Sequence, residues 1–455
     1  MQYRTLLILL APVVLGSCGG NHHYLAPPPG TYANLQLVNT SVDAPPLDVI
    51  LDGQLLVMHL DYGQGTGEQS IAPGSHSLVV QIETPGAPTT VIGPTTIDTA
   101  ASMDYVVAVE GSAGSIQAPG LSLVTFPHPL AVVPAQSTRI QVLNAYNVPI
   151  EVYLTAPGAD LSSSTPLGTA PERGSVGPTE VSAGEWELWI TVPGCGITPH
   201  YLGPIELEGG TDLVFSVLLP FFPPGEVIFL PCGSTFVSEV DAFGNNTWLN
   251  PGASLLRVIN DSPNAPALAI TANGNLASPL VATLAYERYT SYLSVGEPGV
   301  YDLAITPASN PSDVLASQDV NLRAGTNYSL YAFGPLAQIF PFITRDDYRS
   351  YSTQARLRFI QGSPLAQLVD VYLTASGVSI ASATPTYAAM PFAADTGFVS
   401  YVEGSYDLTV TLAGSKKPII GPLSVKLNNG GVYTAVARDA PGGGAPYGLI
   451  ELDDL

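Results

Sequence analysis

The residues of this chain with the widest scope for chemistry are three cysteines, six histidines and a few carboxylate pairs. Cys18 is the one whose setting assigns it a task. It closes the stretch MQYRTLLILLAPVVLGSC, in which one basic residue, Arg4, precedes an apolar run from Leu6 to Leu15. A run of that length is too short to cross a bilayer and suits a secretory signal. Two small residues, Gly16 and Ser17, separate that run from the Cys18 thiol. Cys195 and Cys232 are left as an even pair in a chain expected to be exported, which predicts a disulfide between them. Closing that loop would stabilise its domain by roughly 3–4 kcal/mol on a chain-entropy argument. Neither cysteine has a second Cys or a His at metal-ligand spacing.

The other reactive types are scattered. His22-His23 has no adjacent third ligand, His76 lies in a strand where a packed ring is expected, and His59, His128 and His200 stand apart. No H-E-x-x-H, G-x-S-x-G or S-x-x-K occurs. Asp346-Asp347 and Asp453-Asp454 are adjacent, so on a strand they face opposite ways and make poor acid/base partners. The run LDYGQGTGEQS (60–70) has no following helix to cradle a phosphate, and reads as a loop. Glu239, Asp241, Asn245 and Asn246 offer oxygens for calcium, but their spacing matches no defined loop and reads as a turn. No catalytic residue, metal or cofactor is assigned. Trp189 falls on the outward face of its strand, opposite to Trp186, and is a candidate ligand platform or domain contact.

The segment Leu15-Gly16-Ser17-Cys18 resembles the lipobox of bacterial lipoproteins, in which the cysteine becomes a lipid-carrying mature N-terminus. The resemblance implies a membrane partner through that lipid, and Gly19 in place of an aspartate implies the outer membrane of a Gram-negative envelope. The formal charge of −23, with lysine at Lys416, Lys417 and Lys426 alone, would repel a polyanion, so nucleic acid is excluded as a partner. With 46% hydrophobic and 11% charged residues the chain folds and is not an acidic disordered tail.

The elements that must position these residues come in four copies. The opening motif reads LQLVNTSVDAPPLDVIL (35–51), IQVLNAYNVPIEVYL (140–154), LRVINDSPNAPALAI (256–270) and LRFIQGSPLAQLVDVYL (357–373), with Asn39, Asn144, Asn260 and Gln361 in one column. Each is an apolar strand, a polar turn and a second apolar strand. In a second column Gly74, Gly184, Gly299 and Gly404 each precede a strand. Two residues on stands a ring, His76, Trp186, Tyr301 or Tyr406; four on stands Leu78, Leu188, Leu303 or Leu408. Period two of this kind is a strand with one buried face. A third column, Ser102, Gly210, Gly325 and Gly430, opens a further apolar strand. Short strands, frequent turns and no helical periodicity predict an all-β fold of four tandem immunoglobulin-like β-sandwich domains after a lipoprotein signal peptide.

The opening motif, Ser262-Pro263-Asn264-Ala265-Pro266, Asp370-Val371-Tyr372-Leu373, Gly299 with Tyr301, and Leu322-Arg323-Ala324-Gly325 together resemble the bacterial domain-of-unknown-function 4397 family. The second copy is divergent: its opening turn is two residues shorter and it keeps Glu151-Val152-Tyr153-Leu154. The resemblance implies secreted or lipid-anchored proteins with tandem domains, and no activity. The expected organisation is a signal peptide (1–17), a tether (18–32) and domains at 33–130, 137–250, 254–345 and 353–455, docked closely or in a rod. The expected function is a non-enzymatic cell-envelope lipoprotein presenting its modules to an envelope protein or polysaccharide. The alternative is a carbohydrate-active enzyme or a carbohydrate-binding accessory.

Overall fold

The computed structural model describes residues 31–114, 120–194, 200–219, 236–249 and 253–453. Cys18, Cys195, Cys232, the His22-His23 pair and the signal peptide lie outside the described residues. Within them the chain is β throughout, apart from the single turns of 3-10 helix at Leu161–Ser163 and Leu336–Gln338. No helix among them is long and apolar enough to cross a membrane.

Eight sheets form, two to each copy. In copy 1 one sheet runs Gln69–Ile71, Ala33–Asn39, Met103–Glu110, Ser122–Pro129; the other runs Gln54–Leu60, Leu47–Leu51, Gly74–Ile82, Thr89–Thr99. The opening motif is therefore an arch and not a hairpin. Its two strands belong to opposite sheets, and its polar turn crosses the edge of the sandwich. The opening strand pairs instead in parallel with the third-column strand, Ala33–Asn39 with Met103–Glu110. The same parallel pairing joins Ser137–Asn144 to Thr211–Leu218, Leu255–Asp261 to Asn327–Phe333, and Ala355–Gln361 to Val432–Arg438. A parallel pair needs a long crossover, and the second sheet of each copy supplies it.

Each copy has its own core. Leu78 and Val80, Leu188 and Ile190, Leu303 and Ile305, Leu408 and Val410 all point into it, as period two requires. The opening and third-column strands are buried on both faces, so they read as near-continuous apolar runs. Their second face docks on a neighbouring copy. Val38, Val106 and Ala108 meet Leu143 and Val214; Ile259, Tyr331 and Phe333 meet Ile360, Val436, Ile450 and Leu452. Copies 1 and 2 form one face-to-face pair, and copies 3 and 4 the other.

The repeated polar residues are explained by the backbone. Asn39 Nδ2 donates to the Leu60 carbonyl at 3.0 Å, while its Oδ1 accepts from the Ser41 amide at 3.0 Å. Asn144 and Asn260 repeat both bonds, to Ala170 and Tyr146 and to Leu284 and Ser262. Gln361, one methylene longer, turns back to Gln367 and Ser363 with bonds of 3.2–3.4 Å. The ring column has one task in four chemistries. His76 Nε2, Trp186 Nε1, Tyr301 Oη and Tyr406 Oη each lie 2.6–2.9 Å from the carbonyl four residues earlier, on Ala72, Ser182, Glu297 and Val402. These rings are half-buried, so a polar ring atom is as necessary as the ring's bulk. His76 is a packed ring, its side chain 11% exposed, that also hydrogen-bonds.

Candidate functional sites

Buried charge concentrates where copies dock. Arg139, on the opening strand of copy 2, reaches Asp212 in its own copy through Nε at 2.6 Å and Asp104 of copy 1 through Nη2 at 2.9 Å. His128 and Glu68 of copy 1 close the cluster, with Asn34 donating to Glu68 at 2.9 Å. Burial pushes the Glu68 carboxyl up to about 7, helped by the charges of Asp104 and Asp212. Burial likewise holds Asp104 above its usual range, against the pull of Arg139. Perturbed carboxylates beside a base can mark an active site, so the available space decides. The cavity they line holds about 10 Å³, room for one water at most. The cluster is a polar lock between domains.

The other pair has its own lock. Arg358 of copy 4, fully buried, donates to Asp346 of copy 3 at 2.8 Å, to Tyr331 Oη at 3.2 Å and to Thr434 at 3.1 Å. Asp346 also accepts from Tyr292 at 2.7 Å. Its neighbour Asp347 points the other way, to Arg356 at 2.8 Å, so the two carboxylates are indeed divided between faces. Nearby, Asp261 is buried beside Asp439 and Tyr286. Burial first, and the Asp439 charge second, hold it well above the usual carboxylate range.

The glycine run 63–67 is a docking loop. A Cβ on Gly63 would stand 2.5 Å from the Trp248 ring of copy 2. One on Gly65 would stand 2.8 Å from Val240, and one on Gly67 2.8 Å from the Phe243 backbone. Close approach to copy 2 accounts for all three glycines. The hairpin they meet contains the oxygens considered for calcium, and those of Asp241 and Asn246 are engaged elsewhere. Asp241 accepts from the Phe243 and Asn245 amides and the Asn245 side chain at 2.7–2.9 Å, and Asn246 Oδ1 accepts from Gly65 at 2.8 Å. Asp48, His59 and Glu83 bring ligand atoms within 4.8 Å of one another. Asp48, however, accepts the His59 amide at 3.0 Å, as Asp370 accepts the Ala389 amide at 2.8 Å in copy 4. That turn is built the same way with an alanine in the histidine's place.

Trp189 is placed as its parity requires, half-buried on the outer face of copy 2. The register sets Tyr153 directly opposite it on Ile150–Thr155 and Tyr201 directly opposite on His200–Leu207. Trp189 and Tyr201 pack with centroids 4.5 Å apart and planes at 41°. The indole Nε1 donates to Thr155 Oγ1 at 3.2 Å, so the ring lies over the neighbouring strand. Tyr153 donates to Glu151 at 3.2 Å and Tyr201 to Glu187 at 3.4 Å. Partial burial, then the adjacent glutamate, raises both phenols above their usual range. Sequence reading found Trp189 alone. Its two partners were open to the same parity count, given the strand register.

A larger cleft of about 280 Å³ lies between the sheets of copy 4, lined mostly by apolar side chains such as Leu357, Leu408, Leu427 and Leu449. Its Ser424 hydroxyl donates to Asp407 at 2.9 Å, and no histidine lines it. It holds no nucleophile–base pair of the usual kind.

The family described as "Domain of unknown function (DUF4397)" matches residues 33–153 and 254–372, more than half of the chain. The chain belongs to the DUF4397 family. Each DUF4397 match begins within one residue of the start of the opening strand of copy 1 or 3 and ends inside the second strand of copy 2 or 4. The match stops at Tyr153, so Trp189 and Tyr201 fall in a part of copy 2 outside it. No curated protein sequence matches the chain. A solved structure titled "The Bacillus anthracis TIE protein" aligns at 11% identity over 90% of this chain and 68% of that one, with a TM-score of 0.15. At that score the likeness carries no argument.

Proposed function

We propose that this DUF4397 protein is a non-enzymatic lipoprotein of the bacterial cell envelope. In this reading Cys18 carries the lipid, a disulfide joins Cys195 to Cys232, and the docked pairs stand off the outer membrane as a presenting scaffold. The observation that carries the reading is how the buried charges are used. Arg139, Asp104, Arg358 and Asp346 are committed to contacts between copies, and the one cavity-lining cluster among them has room for a water and not a substrate. Alkyne–fatty-acid labelling of cells, followed by envelope fractionation, tests the anchor. Wild type should be labelled and sediment with the outer membrane, and Cys18→Ala should do neither. Release of reducing ends from polysaccharide by the purified full chain would overturn the non-enzymatic part. A second reading, a carbohydrate-binding accessory, is favoured by the aromatic row on copy 2.

A further inference from the structure

The outer faces of the four copies are not equivalent. The positions of Tyr153 and Trp189 are held by Ile50 and Val79 in copy 1, Thr271 and Ala304 in copy 3, and Tyr372 and Thr409 in copy 4. Tyr372 is itself buried, with Lys416 over its ring at 4.5 Å. Copy 2 therefore places three rings side by side on three adjacent strands, where the other copies place small, aliphatic or covered residues. Nothing in the sandwich requires this. The Trp186 ring already fills the repeated carbonyl-bonding position, and Leu188 and Ile190 supply the core.

The row has a definite shape and charge. Adjacent strands lie about 4.8 Å apart, so the three rings extend about 10 Å across the sheet. They form a line across the sheet, with the Trp189 and Tyr201 planes tilted by 41° to each other. Each ring is tethered at its polar end by a side chain of the same face, which fixes it before any ligand arrives and lowers the entropy lost on binding. The three strands contain four glutamates, Glu151, Glu185, Glu187 and Glu206, and no lysine or arginine. Such a face repels anions. It offers carboxylates to accept hydroxyl or amino hydrogens and ring surfaces to cover the C–H faces of flat rings.

We infer that Tyr153, Trp189 and Tyr201 form a binding platform for a polysaccharide of neutral or amine-bearing sugars, laid across the strands of copy 2. The inference names the ligand class for the presenting role above and rests on that reading. An extended chain of saccharide rings matches the line of side chains, and the charge of the face selects against uronate-rich or phosphorylated glycans. Trp189, at the centre, makes contact on both sides and is the anchor.

Calorimetric titration of the full-length chain tests this with hexasaccharides of glucose, mannose and N-acetylglucosamine, the deacetylated glucosamine hexamer, hexagalacturonate and hexalysine. At least one neutral hexamer should bind, the deacetylated hexamer should match or exceed its N-acetylated form, and hexagalacturonate should not bind. Trp189→Ala should weaken binding about tenfold or more, the scale of one lost aromatic contact, while Trp189→Phe should retain most of it. Tyr201 is 37% exposed, so Tyr201→Ala tests the site with little risk to the fold, and it should weaken binding several-fold with an unchanged melting temperature. The inference is overturned if no neutral or amine-bearing hexamer binds, or if both alanine variants bind as wild type. It is equally overturned if hexalysine binds more tightly than every sugar, which would mark a site for cationic peptide. Acylation at Cys18 and the release of reducing ends are read in separate assays, so a failure of this site is distinguishable from a failure of the envelope reading.

Discussion

The two docked pairs use the same positions with different chemistry. Between copies 1 and 2 the buried apolar centre is small and aliphatic, made by Val38, Val106, Ala108, Leu143 and Val214, with Phe126 packed against it and Tyr62 meeting Trp248 at 6.1 Å between ring centroids. Between copies 3 and 4 it is larger and aromatic, with Tyr331 stacked on Phe333 at 5.3 Å and Phe333 on Phe342 at 5.5 Å. At the rim the contrast is one of sign. Arg173 and Glu287 occupy the same place in copies 2 and 3. Each has a positive φ, 58° and 64°, and each donates its amide to the carbonyl of the column asparagine, Asn144 or Asn260. From there each reaches across to the last residue of a third-column strand: Arg173 to Glu110 at 3.0 Å, Glu287 to Arg438 at 3.1 Å. The charges are reversed. Four copies of one fold must choose partners, and docking copy 2 on copy 4 would set Arg173 against Arg438. Docking copy 3 on copy 1 would set Glu287 against Glu110. Like-charge contacts of this kind discriminate between alternatives even where the correct pair adds little stability.

The largest effect should come from the lock of the second pair. Arg358→Ala removes the nearer of the two guanidinium groups beside the buried Asp346 carboxylate and leaves Arg257 at 3.6 Å, so the loss should fall at the lower end of the about 3–5 kcal/mol typical of a broken buried pair. All three tryptophans, Trp186, Trp189 and Trp248, lie in copy 2, so their fluorescence follows the first pair alone. In urea titrations the circular-dichroism transition of copies 3 and 4 should move to lower denaturant while the tryptophan transition stays in place. A common shift of both signals would show that the two pairs unfold as one unit and remove the distinction drawn between them.

The charge reversal can be broken and then restored. Arg173→Glu sets two carboxylates together in copies 1 and 2, next to Glu110, whose carboxyl burial already pushes up to about 7. The single variant should lose about 1–2 kcal/mol by tryptophan-monitored unfolding, and Glu110→Arg should lose a similar amount. The double variant, with the pair inverted, should recover to within about 0.5 kcal/mol of wild type, as interacting sites do in a double-mutant cycle. Additive losses would show that these residues matter singly and not as a pair.

Much of each sandwich was legible because one face of a strand carries its instruction locally. The second-column strands alternate at period two, and Leu78, Leu188, Leu303 and Leu408 are inward as that period demands. The pairing of copies was not legible, because its determinants are far apart in the chain. Arg139 is 35 residues from Asp104, and Gly65 is 181 residues from the Asn246 side chain that accepts its amide hydrogen. An arginine on a strand looks like a solvated edge until a second sheet covers it. The opening motif is legible only as strand, turn and strand: a short polar turn between two apolar strands suits a hairpin and an arch equally, and only the parallel partner on the third-column strand distinguishes them. For the candidate site, the parity of Trp189 was readable. Its neighbours needed the strand register as well: Tyr153 pairs with it in an unbroken ladder, whereas the register shifts between Glu187 and Trp189 on the side where Tyr201 pairs.

The smallest effect sharpens the comparison within the ring column. His76 places Nε2 2.7 Å from the Ala72 carbonyl and Nδ1 2.7 Å from Asp52 Oδ2, so both ring nitrogens face acceptors. A neutral imidazole has one hydrogen for two acceptors; the imidazolium satisfies both. The bond to Asp52 accordingly raises the His76 pKa, and lowers that of Asp52 in turn. A histidine raised on folding contributes stability that is full below its unfolded pKa and is lost as pH rises through the folded value. Copies 2, 3 and 4 make the same backbone contact with Trp186, Tyr301 and Tyr406, which need no charge there. Replacing His76 by Tyr should therefore leave stability at pH 8 unchanged or slightly higher and lower it slightly at pH 5, where the Asp52 pair is lost. The wild-type minus variant difference in tryptophan-monitored midpoint should shrink steadily between those values. A difference that does not change with pH would mean that His76 stays neutral and serves, like the other three rings, through its single hydrogen bond.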